Sequence, residues 1–208
     1  MTSVCLPGRP GGIALTARAV EIGGFKPGSK ILDVGCGAGT TVAYLAKTMG
    51  FQATGMDINP AFHSADPKII HGNATHIPFP DKSLDGIVME CSFSVVDDQQ
   101  KVLQECYRVM KDNGKLIITD MYARGEPVHL NSILGRLDQK DHIVALLANY
   151  QFEVKHFEDY TNELQTLWGQ MIMDHGLPSF HAMVGCQPEK LKPVRCGYYL
   201  ILANKLSR

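Results

Sequence analysis

Apolar positions along the chain follow two alternating periods. Ile31-Leu32-Asp33-Val34 is a short apolar run that stops at Gly35, and Val42, Leu45, Ala46 and Met49 then recur at helical spacing, with Gly50 placed as a left-handed cap. A strand covered on both faces gives the first pattern and a helix with one face on a sheet gives the second. Further strands are expected at residues 53–58, 68–71, 84–91, 115–120, 152–157 and 195–204. Helices are expected at 13–22, at 138–149, at 161–175 (capped by Thr161), and around Val102, Leu103, Cys106, Val109 and Met110. For that last helix Asp97 or Asp98 is the cap, Asp97 and Gln100 have the spacing of a capping box, and Asn113-Gly114 closes it. Residues 59–67 contain Pro60 and Pro67, so the helix normally found between parallel strands is expected to be short or irregular there. The alternation as a whole predicts an α/β domain with a doubly wound parallel sheet.

The sharpest local signal is the junction after the first strand, where Gly35, Gly37 and Gly39 follow at every second position. Glycines there let a ligand approach the backbone closely, and the first N–H groups of the next helix are unpaired and partly positive. The dinucleotide fingerprint G-x-G-x-x-G would require glycine at Thr40. A nucleoside is therefore expected rather than a pyrophosphate, and a nicotinamide oxidoreductase is disfavoured. Asp57 ends the second strand 18 positions beyond Gly39. Parallel neighbours end at one edge of a sheet, so this acid is placed to accept from ribose hydroxyls. Glu90 ends the fourth strand at the same edge.

Composition narrows the picture. With 208 residues, 45% hydrophobic and 20% charged, the chain can bury a sizeable single core. Its net charge is -1 and it has no dense Lys/Arg block, so nucleic acid is not an expected partner. No signal-type or membrane-length apolar run occurs, and a cytoplasmic protein without a membrane span is expected. Cys5, Cys36, Cys91, Cys106, Cys186 and Cys196 include no C-x-x-C pair, which reads as reduced thiols; no metal-ligand set emerges.

Four stretches together, Ile31 to Thr40 (ILDVGCGAGT), Asp57, Gly72 to Phe79 (GNATHIPF) and Tyr107 to Asp120 (YRVMKDNGKLIITD), resemble class I S-adenosylmethionine-dependent methyltransferases. The nearest likeness is to the methyltransferase type 11 group, which includes ubiquinone/menaquinone biosynthesis methyltransferases. The resemblance covers residues 26–120 well and the rest by layout. It implies a Rossmann-like seven-stranded sheet, mostly parallel, with an antiparallel last strand beside the sixth. It further implies that Asp33, Gly35, Cys36, Gly37 and Gly39 cradle the methionine and ribose edge of S-adenosylmethionine. Asp57 would bind both ribose hydroxyls, and Ile58 and Ala74 would border the adenine. Asn73 stands where the family has Asp and would accept from the adenine amino group through its side-chain oxygen. Glu90 would lie by the cofactor's amino-acid end.

The expected layout is a leader and helix at 1–25, with Arg9-Pro10-Gly11-Gly12 read either as a flexible leader or as a lid over the ligand, and a methyltransferase domain at 26–208 with an insertion at 159–194 that shapes the acceptor site. The expected reaction is methyl transfer to a small molecule by in-line displacement. A protein or RNA acceptor, or a non-catalytic cofactor-binding protein, is the alternative. Because the cofactor carries its own activated methyl, no fixed catalytic motif is required, and no catalytic residue is assigned. Tyr122, His129, His175 and His181 lie in acceptor-side segments, where an exposed loop or a satisfied core role is the preferred explanation of each. The acids Asp97-Asp98 and Glu158-Asp159 read as caps and a solvated strand end.

Overall fold

The computed structural model describes residues 8–63 and 68–207. Cys5 and Pro67, and the leader before Gly8, lie outside the described residues. Helix α1 (Gly12–Gly23) precedes strand β1 (Lys30–Val34), followed by α2 (Thr40–Lys47), β2 (Gln52–Asp57), the short α3 (Pro60–His63), β3 (Ile69–His71) and β4 (Leu84–Glu90). Then come α4 (Gln99–Val109), β5 (Met110–Ala123), a hairpin of β6 (Val128–His129) and β7 (Arg136–Leu137), α5 (Lys140–Asn149) and β8 (Phe152–Asp159). Three helices, α6 (Thr161–His175), α7 (Leu177–Val184) and α8 (Pro188–Leu191), separate β8 from β9 (Cys196–Lys205).

The seven long strands form one sheet in the order β3-β2-β1-β4-β5-β9-β8. The pairs among β1 to β5 are parallel, and β9 runs antiparallel to both β5 and β8. This is the Rossmann-like sheet with its reversed last strand. Connections leave β1 toward β2 on one side and β4 lies on the other, so the crevice for a ligand opens at the C-terminal end of β1.

Strand periodicity divides the core between two faces. Ile31, Val88, Ile117 and Leu202 pack with α1, α2, α6 and α7, whereas Leu32, Ile87, Leu116 and Ile118 pack with α4 and α5. Each face buries aliphatic side chains of adjacent strands in register, such as Ile87 against Leu116 and Leu32. That burial is the main favourable term holding helices to sheet.

Several local expectations shift by a residue or more. Asp98, not Asp97, is the N-cap of α4 and accepts from Lys101 N at 2.9 Å, so the Asp97–Gln100 box does not form. Val109 passes directly into β5, and Asn113-Gly114 lies within that strand rather than closing the helix. There the pairing with β4 jumps from Leu84–Met110 to Gly86–Lys115, and Asn113 adopts φ 61°. Gly50 is left-handed at φ 68°, but α2 has already ended at Lys47. Tyr160 occupies the N-cap of α6, while Asp159 Oδ1 accepts from Thr161 N at 2.8 Å. Thr161 Oγ1 instead accepts from Tyr198 N, tying α6 to β9.

The 73–79 segment is fastened beneath the sheet edge by an ion pair. Glu105, buried on α4, accepts from Ile77 N at 2.9 Å and from Arg108, which also donates to the carbonyls of Ile77 and Phe79. Arg108 beside it holds the Glu105 carboxyl below its ordinary range. Glu105→Ala leaves Ile77 N and Arg108 with unmet donors. A loss of about 2–4 kcal/mol in urea unfolding is expected, against about 1 kcal/mol or less if the pair were merely a solvated surface contact.

Candidate functional site

The turn after β1 is built from left-handed glycines, with φ 78° at Gly35, 53° at Gly37 and 79° at Gly39. A Cβ at Gly35 would meet Ser92 Cβ at 2.5 Å, so this glycine is needed for packing against the end of β4. A Cβ at Gly37 would meet nothing within 4 Å, because it would project into open cavity. Asp57 fixes the turn in place. Its Oδ2 accepts from Gly37 N at 2.8 Å and its Oδ1 from Asn59 N at 2.9 Å.

Two cavities meet at this turn, sharing Gly35, Gly37 and Cys91. One, of about 660 Å³, lies on the β2 side and is bordered by Asp57, Ile58, Asn73, Ala74 and Val96. The other, of about 510 Å³, lies on the β4–β5 side. Its polar wall includes Arg9, Asp33, Cys36, Glu90, Asp120 and Tyr198, and its apolar wall Met121, Leu134, Leu164, Leu167 and Trp168. Nine of the ten residues expected at a cofactor site therefore border one cavity or both. Gly39 borders neither: it is the N-cap of α2, and its α-carbon faces Ile69. Asn73 borders the cavity, but its Oδ1 already accepts from Thr75 N and Thr75 Oγ1, both at 2.9 Å, in an Asx turn.

Glu90 lies at the centre of the polar wall, its side chain 5% exposed. Its Oε1 accepts from Thr16 Oγ1 at 2.7 Å, and its Oε2 accepts from Thr41 Oγ1 and pairs with Arg9 Nη2 at 3.1 Å. The leader, α1 and α2 thus converge on one strand-end carboxylate. Arg9 Nη2 also donates to Thr16 Oγ1 at 2.6 Å, whereas Arg9 Nε is buried with no partner among the described residues. A buried donor left unpaired costs about 1–3 kcal/mol. Asp33 is 2% exposed; loss of solvent, and then the negative charge of Glu90, push its carboxyl well above the usual range. The charge of Arg9 opposes that shift.

At the opposite end of the wall, Tyr198 is fully buried, donates to Thr119 Oγ1 at 3.2 Å and lies 3.0 Å from Cys91 Sγ. Burial holds the Tyr198 phenol well above its ordinary value. Cys91 is strained, with φ 53° at the end of β4. Although the residue is exposed at the junction, desolvation of its thiol and the charge of Asp120 push it up to about 12. Both groups are therefore protonated at neutral pH.

The acceptor-side residues suggested by position alone are elsewhere. Tyr122 is buried and donates to Asp159 Oδ2 at 2.9 Å. His129 and His181 line a separate cavity with Cys186 and Lys190, and His175 sits in the last turn of α6. Glu158 pairs with Arg18 at 2.8 Å rather than standing as a solvated end. Asp120 and Tyr198 were missed. Asp120 follows directly on the last parallel pair of β4 and β5, Glu90–Thr119, at the same edge as Asp57, a signal that could have found it. Tyr198 comes from the antiparallel β9, whose apolar run marks only a core strand. Among the described residues no group of three or more His, Cys, Asp or Glu could hold a metal ion.

Asp120 generates a pH prediction. It is 2% exposed, its Oδ2 accepts from Ser94 N, and its Oδ1 accepts from Ser94 Oγ and Met121 N. Desolvation outweighs these bonds and lifts it from 3.8 to about 6. The folded state then binds more protons than the unfolded state between those values, so this group's contribution to stability falls as pH rises from 4 to 6. The expected loss is about 2–3 kcal/mol. Thermal unfolding across pH 4–7 should show a shallower decline for Asp120→Asn than for the parent protein; equal slopes would contradict it.

Residues 32–118 match the family model described as a methyltransferase domain. The demethylmenaquinone methyltransferase of Tropheryma whipplei (strain Twist) is 32% identical over 159 residues, covering 68% of this chain and 64% of that protein. More generally, the chain spans about half the length of the curated relatives it matches. Geranyl diphosphate C-methyltransferase from Streptomyces coelicolor A3(2), solved with Mg2+, geranyl diphosphate and S-adenosyl-L-homocysteine, superposes with TM-score 0.78 at 15% identity. That alignment covers 94% of this chain and 79% of that one. The 4+2 cyclase SpnF superposes with TM-score 0.74 at 20% identity, over 94% and 81% of the two chains. At such identities these superpositions establish the fold alone. With the four sequence stretches, these matches make residues 32–118 a methyltransferase domain, and the chain is similar to S-adenosylmethionine-dependent methyltransferases such as the demethylmenaquinone methyltransferases.

Proposed function

We propose that this protein transfers a methyl group from S-adenosylmethionine to a small, largely apolar acceptor by in-line displacement. The single observation that carries the reading is Gly37: it borders both cavities and has open space where a side chain would stand. A nucleoside on one side and an amino-acid tail on the other need such a passage. Fold alone would not suffice, since SpnF is named a cyclase.

In this reading Asp57 holds the ribose hydroxyls, and Ile58, Asn73 and Ala74 surround the adenine. Gly35, Cys36 and Gly37 offer backbone along the tail, and the buried acids Asp33 and Glu90 favour a cationic group beside them. The bound cofactor supplies a methyl already activated on a sulfonium. The chain's own residues then have to orient the acceptor and exclude water. Leu164, Leu167 and Trp168 from α6, with Leu134 and Met121, form an apolar wall suited to that task. Tyr198 and Cys91 stay protonated and are hydrogen-bonded to each other, and Tyr198 to Thr119, so they wall the junction and do not act as bases. An acceptor with an extended apolar body accords with this wall and with the demethylmenaquinone and geranyl diphosphate named for the similar proteins.

The test is calorimetry followed by labelling. The protein should bind S-adenosylmethionine, and Asp57→Ala should weaken binding by about tenfold or more. With methyl-labelled cofactor and a metabolite extract, label should appear in a small molecule. Trp168→Ala should raise KM for that acceptor by about tenfold while cofactor affinity changes by about twofold or less. Absence of cofactor binding, or label confined to protein or RNA, would overturn the reading.

A further inference from the structure

A third cavity, of about 570 Å³, shares no lining residue with the two that meet at the glycine turn. Its wall comes from the β6–β7 hairpin, the last turn of α7 and the segment into α8. Five of its lining side chains can donate hydrogen bonds: His129, Asn131, His181, Gln187 and Lys190. No acid lines it, although the chain carries 21 Asp and Glu against 20 Lys and Arg, and acids border both of the other cavities. None of the five side chains makes a hydrogen bond or ion pair with another described residue. Their backbone is nevertheless fixed. Gly185, left-handed at φ 69°, donates to His181 O at 2.9 Å and ends α7. A Cβ there would crowd Ser132 Cβ at 3.2 Å, so the glycine lets α7 close on the hairpin, which Leu130 N closes in turn by donating to Gly135 O at 2.9 Å.

We propose that this cavity binds a phosphate group. Lys190 brings a positive charge that no acid on the wall neutralises, and the imidazoles and amides around it can reach several oxygens at once. No arginine lines the cavity, so the planar fork that matches a carboxylate is missing. Donors from three separate segments suit a tetrahedral group instead. The phosphate is either a free ion or the head of a phosphate ester. Phe180 packs against Trp168 of the apolar wall, with ring centroids 5.4 Å apart, and against His181 at 5.7 Å. An ester with an apolar tail is thereby offered a phosphate site beside an apolar one. The proposal rests on this cavity alone and is independent of the cofactor reading.

The experiment is calorimetry on the full chain at fixed ionic strength, with inorganic phosphate and octyl phosphate as probes. Inorganic phosphate should bind saturably, and Lys190→Gln and His181→Ala should each weaken it by about threefold or more. Lys155→Gln, which removes a charge on β8, should change it by about twofold or less. Octyl phosphate binding about tenfold more tightly than inorganic phosphate, with the gain lost in Trp168→Ala, identifies an ester whose tail reaches the apolar wall; equal affinity identifies the free ion. Thermal unfolding checks that each variant is folded. Absence of saturable binding by either probe, affinity unchanged in Lys190→Gln and His181→Ala, or equal weakening by Lys155→Gln would overturn the proposal.

Discussion

A carboxylate placed at 5% exposure at the end of a parallel strand must be partnered or be strongly destabilising, and Glu90 sets the arrangement of everything around it. Three segments that precede it in the chain supply its partners: Arg9 from the leader, Thr16 from α1 and Thr41 from α2. Helix α1 has no side-chain cap at its N-terminus and no acidic residue in its first turn. Its apolar side and the Thr16–Glu90 bond hold it to the sheet instead. The same contact brings the leader over the C-terminal edge, so a demand of electrostatics becomes the roof of a cavity.

The second constraint is steric. Gly35 and Gly37 adopt the same left-handed conformation for different reasons: one lets β4 approach, the other leaves space unfilled. Asp57 spans the two, since it fixes Gly37 N while bordering the nucleoside-side cavity. Backbone shape and ligand space are therefore linked. The walls of glycine and acid come from the ends of β1, β2 and β4, and the apolar wall from α6 and the segment after β5. On the proposed function, this division makes a cofactor side that is legible in local motifs and an acceptor side that is not.

Much of the framework could be read before any coordinates. Strand and helix periods gave the order of elements, because burial on two faces or one leaves a pattern within a few residues. Asp57 and the turn at Gly35 and Gly37 could be placed beside one another because parallel strands end at one edge, whereas Asp33 came only through the family resemblance. Boundaries were less so: adjacent Asp97 and Asp98 differ only in which backbone the helix leaves, and Asn113-Gly114 looks the same in a cap as in a strand irregularity. Contacts between distant segments left no local trace. Nothing near Arg9 points to Glu90, and Tyr198 reaches Cys91 only because β9 inserts between β5 and β8. Tyr122, His129, His175 and His181 border neither of the two cavities, since following β5 in sequence does not place a residue at its end in space.

The most direct test of the account is the crystal structure of the protein with S-adenosylhomocysteine. The adenosine should lie between Asp57 and Asn73, the sulfur at the junction of Gly37 and Cys91, and the amino-acid end beside Asp33 and Glu90, with the part of the second cavity beneath Trp168 left for the acceptor. A ligand whose adenine occupies the space beneath Trp168, leaving the Asp57 side empty, would contradict it.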